Sequence, residues 1–138
     1  MIPKFRFFGK VADGKMRMVK APVIDFEDEF IYYSYRSYTA EGDEYADGDV
    51  ISFEDCVLMQ STGLFDKNGV DIFDGDIIKF TLTNGFNYVV DEDGSVTYKL
   101  GAFYVVNGLA EYLISDINTN EVEVIGNKYE NPELLKGE

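Results

Sequence analysis

The sequence of 138 residues contains no histidine. Histidine is the side chain that most often acts as a general base, activates a nucleophile or binds a metal. Its absence leaves Ser61, Ser95 and Ser115 without a basic partner, and none of the three stands in a G-x-S-x-G turn. No glycine-rich phosphate-binding motif is present either. The sequence therefore predicts a protein that is not an enzyme and that holds no cofactor.

Cysteine is almost as scarce, since Cys56 is the only one. A single cysteine rules out an internal disulfide and a zinc site built from cysteines. Cys56 follows Asp55 in an apolar run, where a thiol more often packs as a small apolar side chain and a neighbouring carboxylate raises its pKa. We therefore predict a buried Cys56 rather than a reactive thiol.

Long apolar runs and basic residues are also scarce. No segment approaches the length of a membrane span, and residues 1–10 lack the apolar centre of a signal peptide. Lys and Arg number 12 against 26 Asp and Glu, for a net charge of −14. Because contacts with phosphates need Lys and Arg, we expect no direct binding of nucleic acid or of an anionic membrane. The expected location is the cytoplasm.

The charge is unevenly distributed. Residues 1–20 carry a net charge of +5, whereas residues 21–138 carry −19. Complementary charges on one chain favour internal docking or self-association, and of these we favour a homo-oligomer. The acidic excess can also act only to keep the protein soluble. A third interpretation is a nucleic-acid mimic, whose carboxylates imitate phosphates and occupy a DNA-binding protein of the host.

Apolar residues are plentiful, at 46% of the sequence, with 10 Tyr and 11 Phe. This composition excludes intrinsic disorder, and the length predicts a single domain over residues 1–138. A possible subdivision is an N-terminal hairpin and acidic loop over residues 1–60 and a β-barrel core over residues 61–138.

Short aromatic and β-branched runs separated by Gly, Asn and Asp predict a mostly β protein with antiparallel strands. We expect these strands at residues 5–8, 16–19, 30–38, 50–53, 56–60, 76–81, 86–90, 96–100, 103–106 and 121–125. Asp13-Gly14 predicts a hairpin between the first two. In residues 30–38 the alternation places Ile31, Tyr33 and Tyr35 on one face and Phe30, Tyr32 and Tyr38 on the other. A helix beginning near Asp25 is the competing interpretation.

The remaining segments predict loops and short helices. Residues 39–49 are expected to form an exposed acidic loop, and residues 91–95 a hairpin loop. Residues 111–114 are expected to form one helical turn. A C-terminal helical turn follows at residues 131–135, with Asn131 as N-cap, Pro132 as first helical residue, and Leu134 and Leu135 packed on the core.

The densest motif lies between Ser61 and Phe80, where Asp74 and Asp76 are close enough to share a divalent cation. The run Asp66 to Asp71 departs from a calcium-binding loop, because its glycine comes early and its third ligand is missing. Asp91, Asp93 and Gly94 fail the same comparison. We therefore predict no metal site, and assign these aspartates to turns in which their carboxylates accept backbone N–H groups.

The tyrosines at 32, 33, 35 and 38 have two interpretations. They can pack in the core and across strands, or they can form a protein-binding surface. Stacking on nucleotide bases needs a basic groove, and only Arg36 is nearby.

Three stretches together resemble the YopX family of phage and prophage proteins: 4–16, 61–80 and 123–135. Their most specific residues are Thr62, Gly63, Leu64, Asp66, Asn68, Gly69, Gly75, Asp76 and Ile77, and then Ile125, Gly126, Asn127, Tyr129, Glu130, Asn131, Pro132, Glu133, Leu134 and Leu135. Residues 21–58 match the family pattern poorly. The resemblance implies a mostly β pseudobarrel encoded by a temperate phage or an integrated element, with no established activity and no catalytic residues. The entry of Gly75-Asp76 into the next strand also resembles the strand starts of small SH3-like barrels.

These observations favour a non-catalytic binding or adaptor protein in the cytoplasm of a bacterial host, with a protein or a second copy of itself as partner. The first alternative is the acidic nucleic-acid mimic. The second is a small carboxylate- or metal-dependent enzyme, because paired carboxylates can catalyse hydrolysis without histidine.

Overall fold

The computed structural model describes residues 3–83 and 89–135. The described chain is mostly β and contains no α-helix. Its strands are β1 (Phe5–Lys10), β2 (Met16–Lys20), β3 (Val23–Asp25), β4 (Phe30–Tyr38), β5 (Glu44–Ser52), β6 (Cys56–Phe65), β7 (Asp71–Phe73), β8 (Asp76–Thr83), β9 (Val89–Lys99), β10 (Ala102–Asn107), β11 (Ala110–Leu113) and β12 (Glu123–Asn127). Short 3-10 helices cover Phe53–Asp55, Ile114–Asp116, Thr119–Glu121 and Pro132–Leu135. None of the described helices is long and apolar enough to span a membrane.

The chain divides between Gln60 and Ser61 into two compact units, here called the N-terminal unit and the C-terminal unit. Strand β6 contributes to both, because its first half pairs with β1 and its second half with β7. All pairings between the described strands are antiparallel, as predicted. Whether residues 1–138 fold as one domain stays a prediction.

The N-terminal unit is built from the sheet β2-β1-β6 and the sheet β3-β4-β5. Inward residues of both sheets meet in one core, which contains Phe7, Val19, Ile31, Tyr33 and Ile51. The rings of Phe7 and Tyr33 pack edge to face with centroids 5.2 Å apart. The predicted hairpin at Asp13-Gly14 is confirmed, with Gly14 at φ 80°.

The alternation predicted for β4 is confirmed. Ile31 and Tyr33 are buried and Tyr35 is half-buried, whereas Phe30, Tyr32 and Tyr38 are exposed. The competing helix from Asp25 is wrong, since β3 ends at this residue and a turn leads into β4. The residues shared by the two patterns form strands because β3 pairs with β4 and β4 pairs with β5. Strand pairing thus decides in favour of the two-residue alternation and against the helical spacing.

The acidic loop predicted for residues 39–49 is wrong over most of its length. Only a tight turn separates the strands, with the N–H of Gly42 donated to the carbonyl of Thr39 and the N–H of Thr39 to that of Asp43. Residues from Glu44 onward pair with the whole of β4. A glycine inside a strand usually weakens it. At Gly48 a larger residue would not fit, because a Cβ there would lie 3.1 Å from Cα of Ser34. The close approach of the two backbones explains a glycine inside a strand.

The C-terminal unit contains a curled five-stranded sheet in the order β11-β10-β9-β8-β12. Its core is formed by Ile72, Ile78, Phe80, Val96, Val105, Ile114, Ile117 and Val122. Between β11 and β12, Ile114 in the 3-10 helix and Ile117 directly after it belong to this core. Strands β11 and β12 are the two edges of the sheet.

The hairpin loop predicted for residues 91–95 is wrong, because these residues continue β9 and pair with β8 from Ile77 to Thr81. Gly94 is buried within the strand. A Cβ at Gly94 would lie 2.8 Å from Cγ1 of Val105 and 3.2 Å from Cε1 of Phe80. The glycine therefore serves core packing rather than a turn. The first three residues of the strand predicted at 86–90 lie outside the described residues.

Two further segments differ from the sequence expectations. Residues 111–113 lie in β11, and the 3-10 helix begins only at Ile114. The C-terminal helical turn is a 3-10 helix, Pro132–Leu135, whose first hydrogen bond runs from the N–H of Leu134 to the carbonyl of Asn131. Leu134 remains exposed, so the predicted packing of this side chain on the core is wrong.

Gly94→Ala is expected to destabilise the protein by about 1–3 kcal/mol, because the added methyl group overpacks the core against Val105 and Phe80. Urea unfolding followed by tyrosine fluorescence measures the change. The matched control is Ser95→Ala in the same strand, which is expected to alter the free energy of unfolding by less than about 0.5 kcal/mol. Equal stability of Gly94→Ala and the wild type would contradict the packing role.

Candidate functional site

The carboxylate of Asp66 is the centre of the motif that the sequence singled out. Its Oδ1 accepts the N–H groups of Asn68 (2.8 Å) and Val70 (2.9 Å), and its Oδ2 accepts the N–H of Val124 (2.9 Å). Burial alone would raise the pKa of Asp66, but these three donors outweigh it and the pKa is lowered. Both oxygens of Asp66 are therefore engaged in holding a turn and a distant strand.

Asp74 lies in the turn between β7 and β8, and Asp76 is the first residue of β8. Asp76 is buried, and its Oδ2 accepts the N–H of Phe73 at 2.8 Å. Asp74 reaches instead to the N–H of Tyr98 at 3.3 Å. Gly75 between them adopts φ 90°, donates its N–H to Val96 and accepts that of Lys128. The two carboxylates thus serve different backbone groups, which supports the turn interpretation.

The other candidate side chains are dispersed. Ser61 donates its hydroxyl to Asp71 and accepts the N–H of Gly63. Ser95 lies on β9, and Ser115 lies in the 3-10 helix that follows β11. Within residues 3–83 and 89–135, no three Cys, Asp or Glu side chains converge in a way that could hold a metal ion.

The thiol of Cys56 is half-buried against the N-terminal core and faces the carbonyl of Ser52 at 3.5 Å. Burial and the adjacent Asp55 raise its pKa. A raised pKa keeps the thiol protonated near neutral pH, so Cys56 lacks the thiolate character of a reactive cysteine.

Two of the four tyrosines on β4 belong to the interior network of the N-terminal unit. Tyr33 and Tyr35 stack with centroids 6.2 Å apart, and the guanidinium of Arg17 lies 5.0 Å from the Tyr35 ring. The Tyr35 hydroxyl accepts the N–H of Asp13 and donates to Asp47. Burial and nearby carboxylates raise the pKa of both tyrosines, so they stay neutral at physiological pH.

The opposite face of the same sheet is exposed and apolar, and we call it the outer face. It carries Val23, Tyr32 and Val50, which occupy one cross-strand row on β3, β4 and β5. Their exposed fractions are 55%, 52% and 42%, and the neighbouring Phe30 is 40% exposed. An apolar row of this kind on a sheet whose other side faces the core is a candidate protein interface.

Acidic residues border one end of the outer face. The turn from β3 to β4 contains Asp25, Glu27, Asp28 and Glu29, and the Asp25 carboxylate accepts the N–H groups of Glu27 and Asp28. The other end is less acidic, because Arg36 pairs with Glu44 at 2.8 Å beside the exposed acids Glu41 and Asp43 of the β4–β5 turn. The outer face is therefore apolar in the middle and acidic at the β3–β4 turn.

Sequence reasoning found Tyr32 and Phe30 on this face but missed Val23 and Val50. The sequence predicts a strand that begins at Val50 and a loop before it, so it does not indicate which strand pairs with Val50. Residues 44–52 show no regular alternation of polar and apolar side chains, so no local signal identifies the first part of this strand.

Comparison with known proteins identifies relatives of the whole chain. A family model described as YopX protein matches residues 4–136. A search of curated sequences gave no match. Among solved structures, the crystal structure of protein EF1440 from Enterococcus faecalis is similar, with a TM-score of 0.60 and 27% identity over 99% of each chain.

Asp66→Asn is expected to lower the free energy of unfolding by about 1–3 kcal/mol at pH 7, because an amide cannot accept all three N–H groups. The folded pKa of Asp66 lies below its unfolded value of roughly 3.9. The carboxylate therefore stabilises the fold above that pH, and its contribution is lost as the pH falls through the folded pKa.

Urea unfolding of wild type and variant between pH 7 and pH 3 measures this difference, which should shrink at the acidic end. Asp116→Asn, on an exposed residue of the same unit, is the control and should alter the free energy of unfolding at pH 7 by less than about 0.5 kcal/mol. A constant difference across the pH range would contradict the role of the carboxylate.

Asp76→Ala is expected to destabilise the protein by about 1–3 kcal/mol, because it leaves the Phe73 N–H without its acceptor in a buried turn. Gly75→Ala is expected to cost about 1–2 kcal/mol, because alanine is strained at positive φ. Calcium, magnesium or manganese should not raise the melting temperature of the wild type. A metal-dependent rise that disappears in Asp74→Asn with Asp76→Asn would reveal a metal site.

Proposed function

The chain belongs to the YopX family, and on this premise we propose that it is a phage- or prophage-encoded, non-catalytic protein that binds another protein through the outer face. The observation that carries the proposal is the exposed row formed by Val23, Tyr32 and Val50. Aromatic residues are enriched in interfaces, where a few of them provide most of the binding energy. We place this activity in the cytoplasm of the bacterial host.

The rigidity of the sheet supports this role. The inward neighbours of the row are Ile31 and Ile51, which are 0% and 6% exposed in the core. Their packing fixes the backbone on which Tyr32 and Val50 stand. A partner would thus meet a preformed surface and lose little affinity in ordering it.

The alternative of a nucleic-acid mimic receives less support from the disposition of the acids. Within the described residues, seven aspartates accept backbone N–H groups of their own fold: Asp13, Asp25, Asp47, Asp49, Asp66, Asp74 and Asp76. Carboxylates directed by local turns and strand edges follow the backbone rather than the spacing of phosphates. The alternative of a metal-dependent enzyme has no specific observation in its favour.

Affinity capture from lysate of a bacterial host, read by mass spectrometry, tests the proposal. The variant is Tyr32→Thr with Val50→Thr, which removes the apolar row but keeps strand propensity and net charge. We expect host proteins captured by the wild type to be lost with the variant. The control is Leu109→Ser, because Leu109 is a fully exposed apolar residue of the C-terminal unit. Capture that is equal for all three baits would overturn the proposal.

A further inference from the structure

We propose that the partner of the outer face is a cationic protein segment with apolar side chains among its Lys and Arg residues. The proposal rests on the proposed function, and it adds the chemistry of the partner. The apolar side chains would contact the row around Tyr32, and the cationic groups would lie at the β3–β4 turn. Two independent features of the outer face lead to this assignment.

The first feature is the size of the apolar row. Val23 pairs with Tyr32 and Tyr32 pairs with Val50, so the three side chains stand side by side across three strands. Adjacent strands lie about 4.8 Å apart, which gives the row a width of roughly 10 Å. Phe30 extends the row along β4 toward the turn. This area accommodates a few apolar side chains of a peptide segment, as in a small hot spot.

The second feature is the negative charge at one end of the outer face. The β3–β4 turn has the sequence Asp-Phe-Glu-Asp-Glu over residues 25–29 and contains no basic residue. Phe26 within it is 60% exposed and contacts Phe5 and Phe53 edge to face. Phe5 and Phe53 themselves pack against the N-terminal core, so the Phe26 ring lies toward the core side, and it is the four carboxylates around it that attract Lys and Arg by Coulomb forces. The far end is less acidic, since residues 36–44 contain Arg36, which pairs with Glu44, besides Glu41 and Asp43.

The hydrogen bonds at the edge strand β5 make it unfavourable for a partner to add a strand there. A partner is therefore expected to bind to the outer face of the sheet. Strand β5 is the last strand of its sheet. The N–H groups of Gly48 and Val50 on β5 are donated to the carboxylates of Asp47 and Asp49 at 2.9 and 2.8 Å. An added strand would have to displace these bonds and bury the two charges. The outer face can bind without either cost.

Calorimetry with three synthetic peptides of equal length tests the proposal. The first alternates Lys with Val and Phe, the second replaces its Lys by Glu, and the third keeps Lys but replaces Val and Phe by Ser. We expect the first to bind at least tenfold more tightly than the other two. Amide chemical shifts should change mainly in β3, β4, β5 and the turn at residues 26–29.

Two variants separate the two features. Tyr32→Thr should weaken the first peptide at least fivefold without changing the protein charge. Glu27→Lys with Asp28→Lys should weaken it at least tenfold and more at low than at high salt. The charge control is Asp116→Lys with Glu121→Lys, at exposed acids of the C-terminal unit, and the apolar control is Leu109→Ser. Both controls should bind the first peptide as the wild type does.

Several results would overturn the proposal. Equal binding of the first and third peptides would show attraction by net charge alone, and binding of the second would exclude a cationic partner. Binding of a DNA oligonucleotide or of phosphatidylserine vesicles at the outer face would assign it to another ligand. Light scattering that shows self-association lost in Tyr32→Thr, with no effect of the first peptide, would assign it to a second copy.

The capture experiment distinguishes failure of the cationic partner from failure of the proposed function. If the capture of host proteins depends on Tyr32 but the protein binds all three peptides equally, the proposed function stands and the cationic partner is rejected. If neither measurement depends on Tyr32, both proposals are rejected.

Discussion

The carboxylate of Asp66 connects parts of the C-terminal unit that are 58 residues apart in sequence. One oxygen closes the turn into β7, and the other accepts the N–H of Val124 on edge strand β12. The N–H of Lys67 adds a backbone bond to the carbonyl of Val122, so the turn and the strand are joined side by side. A protein with no α-helix in its described residues cannot satisfy backbone groups within single elements. Its loops must obtain acceptors from side chains or from distant strands, and Asp66 supplies both kinds of connection.

The same requirement explains part of the acidic composition. Aspartate has a side chain short enough to reach a backbone N–H one to three residues away, and the carboxylate makes a stronger acceptor than a neutral group. The motifs that resemble the YopX family contain several such residues. Asn127 and Asn131 play a neutral version of this role at the C-terminal motif, where Asn127 accepts the N–H groups of Tyr129 and Glu130. Gly126 is needed there because a Cβ would lie 2.6 Å from Oδ1 of Asn131.

Local patterns in the sequence were sufficient where one strand determined the outcome. The alternation of β4 predicted both its faces, and Asp13-Gly14 predicted the first hairpin. They were insufficient where a glycine or an acid had two possible roles. Gly94 and Gly48 look like turn residues in isolation, but both allow close contacts inside strands. Those contacts depend on Val105, Phe80 and Ser34, which are distant in sequence, so the local pattern could not distinguish the roles. The candidate site was half predictable for the same reason, since Val23 and Val50 join Tyr32 only through strand pairing.

The distribution of these features along the chain separates folding from recognition. The stretches that resemble the family are rich in turn aspartates, asparagines and glycines whose hydrogen bonds are internal. The outer face lies wholly within residues 21–58, outside the three stretches whose motifs resemble the family. Its inward residues, Ile31 and Ile51, are constrained by the core, whereas Val23 and Tyr32 on the other side have no such constraint. A sheet with one face fixed by packing and one face open can change its binding residues without changing its fold. This physical independence allows the outer face to carry the proposed binding role without disturbing the core beneath it.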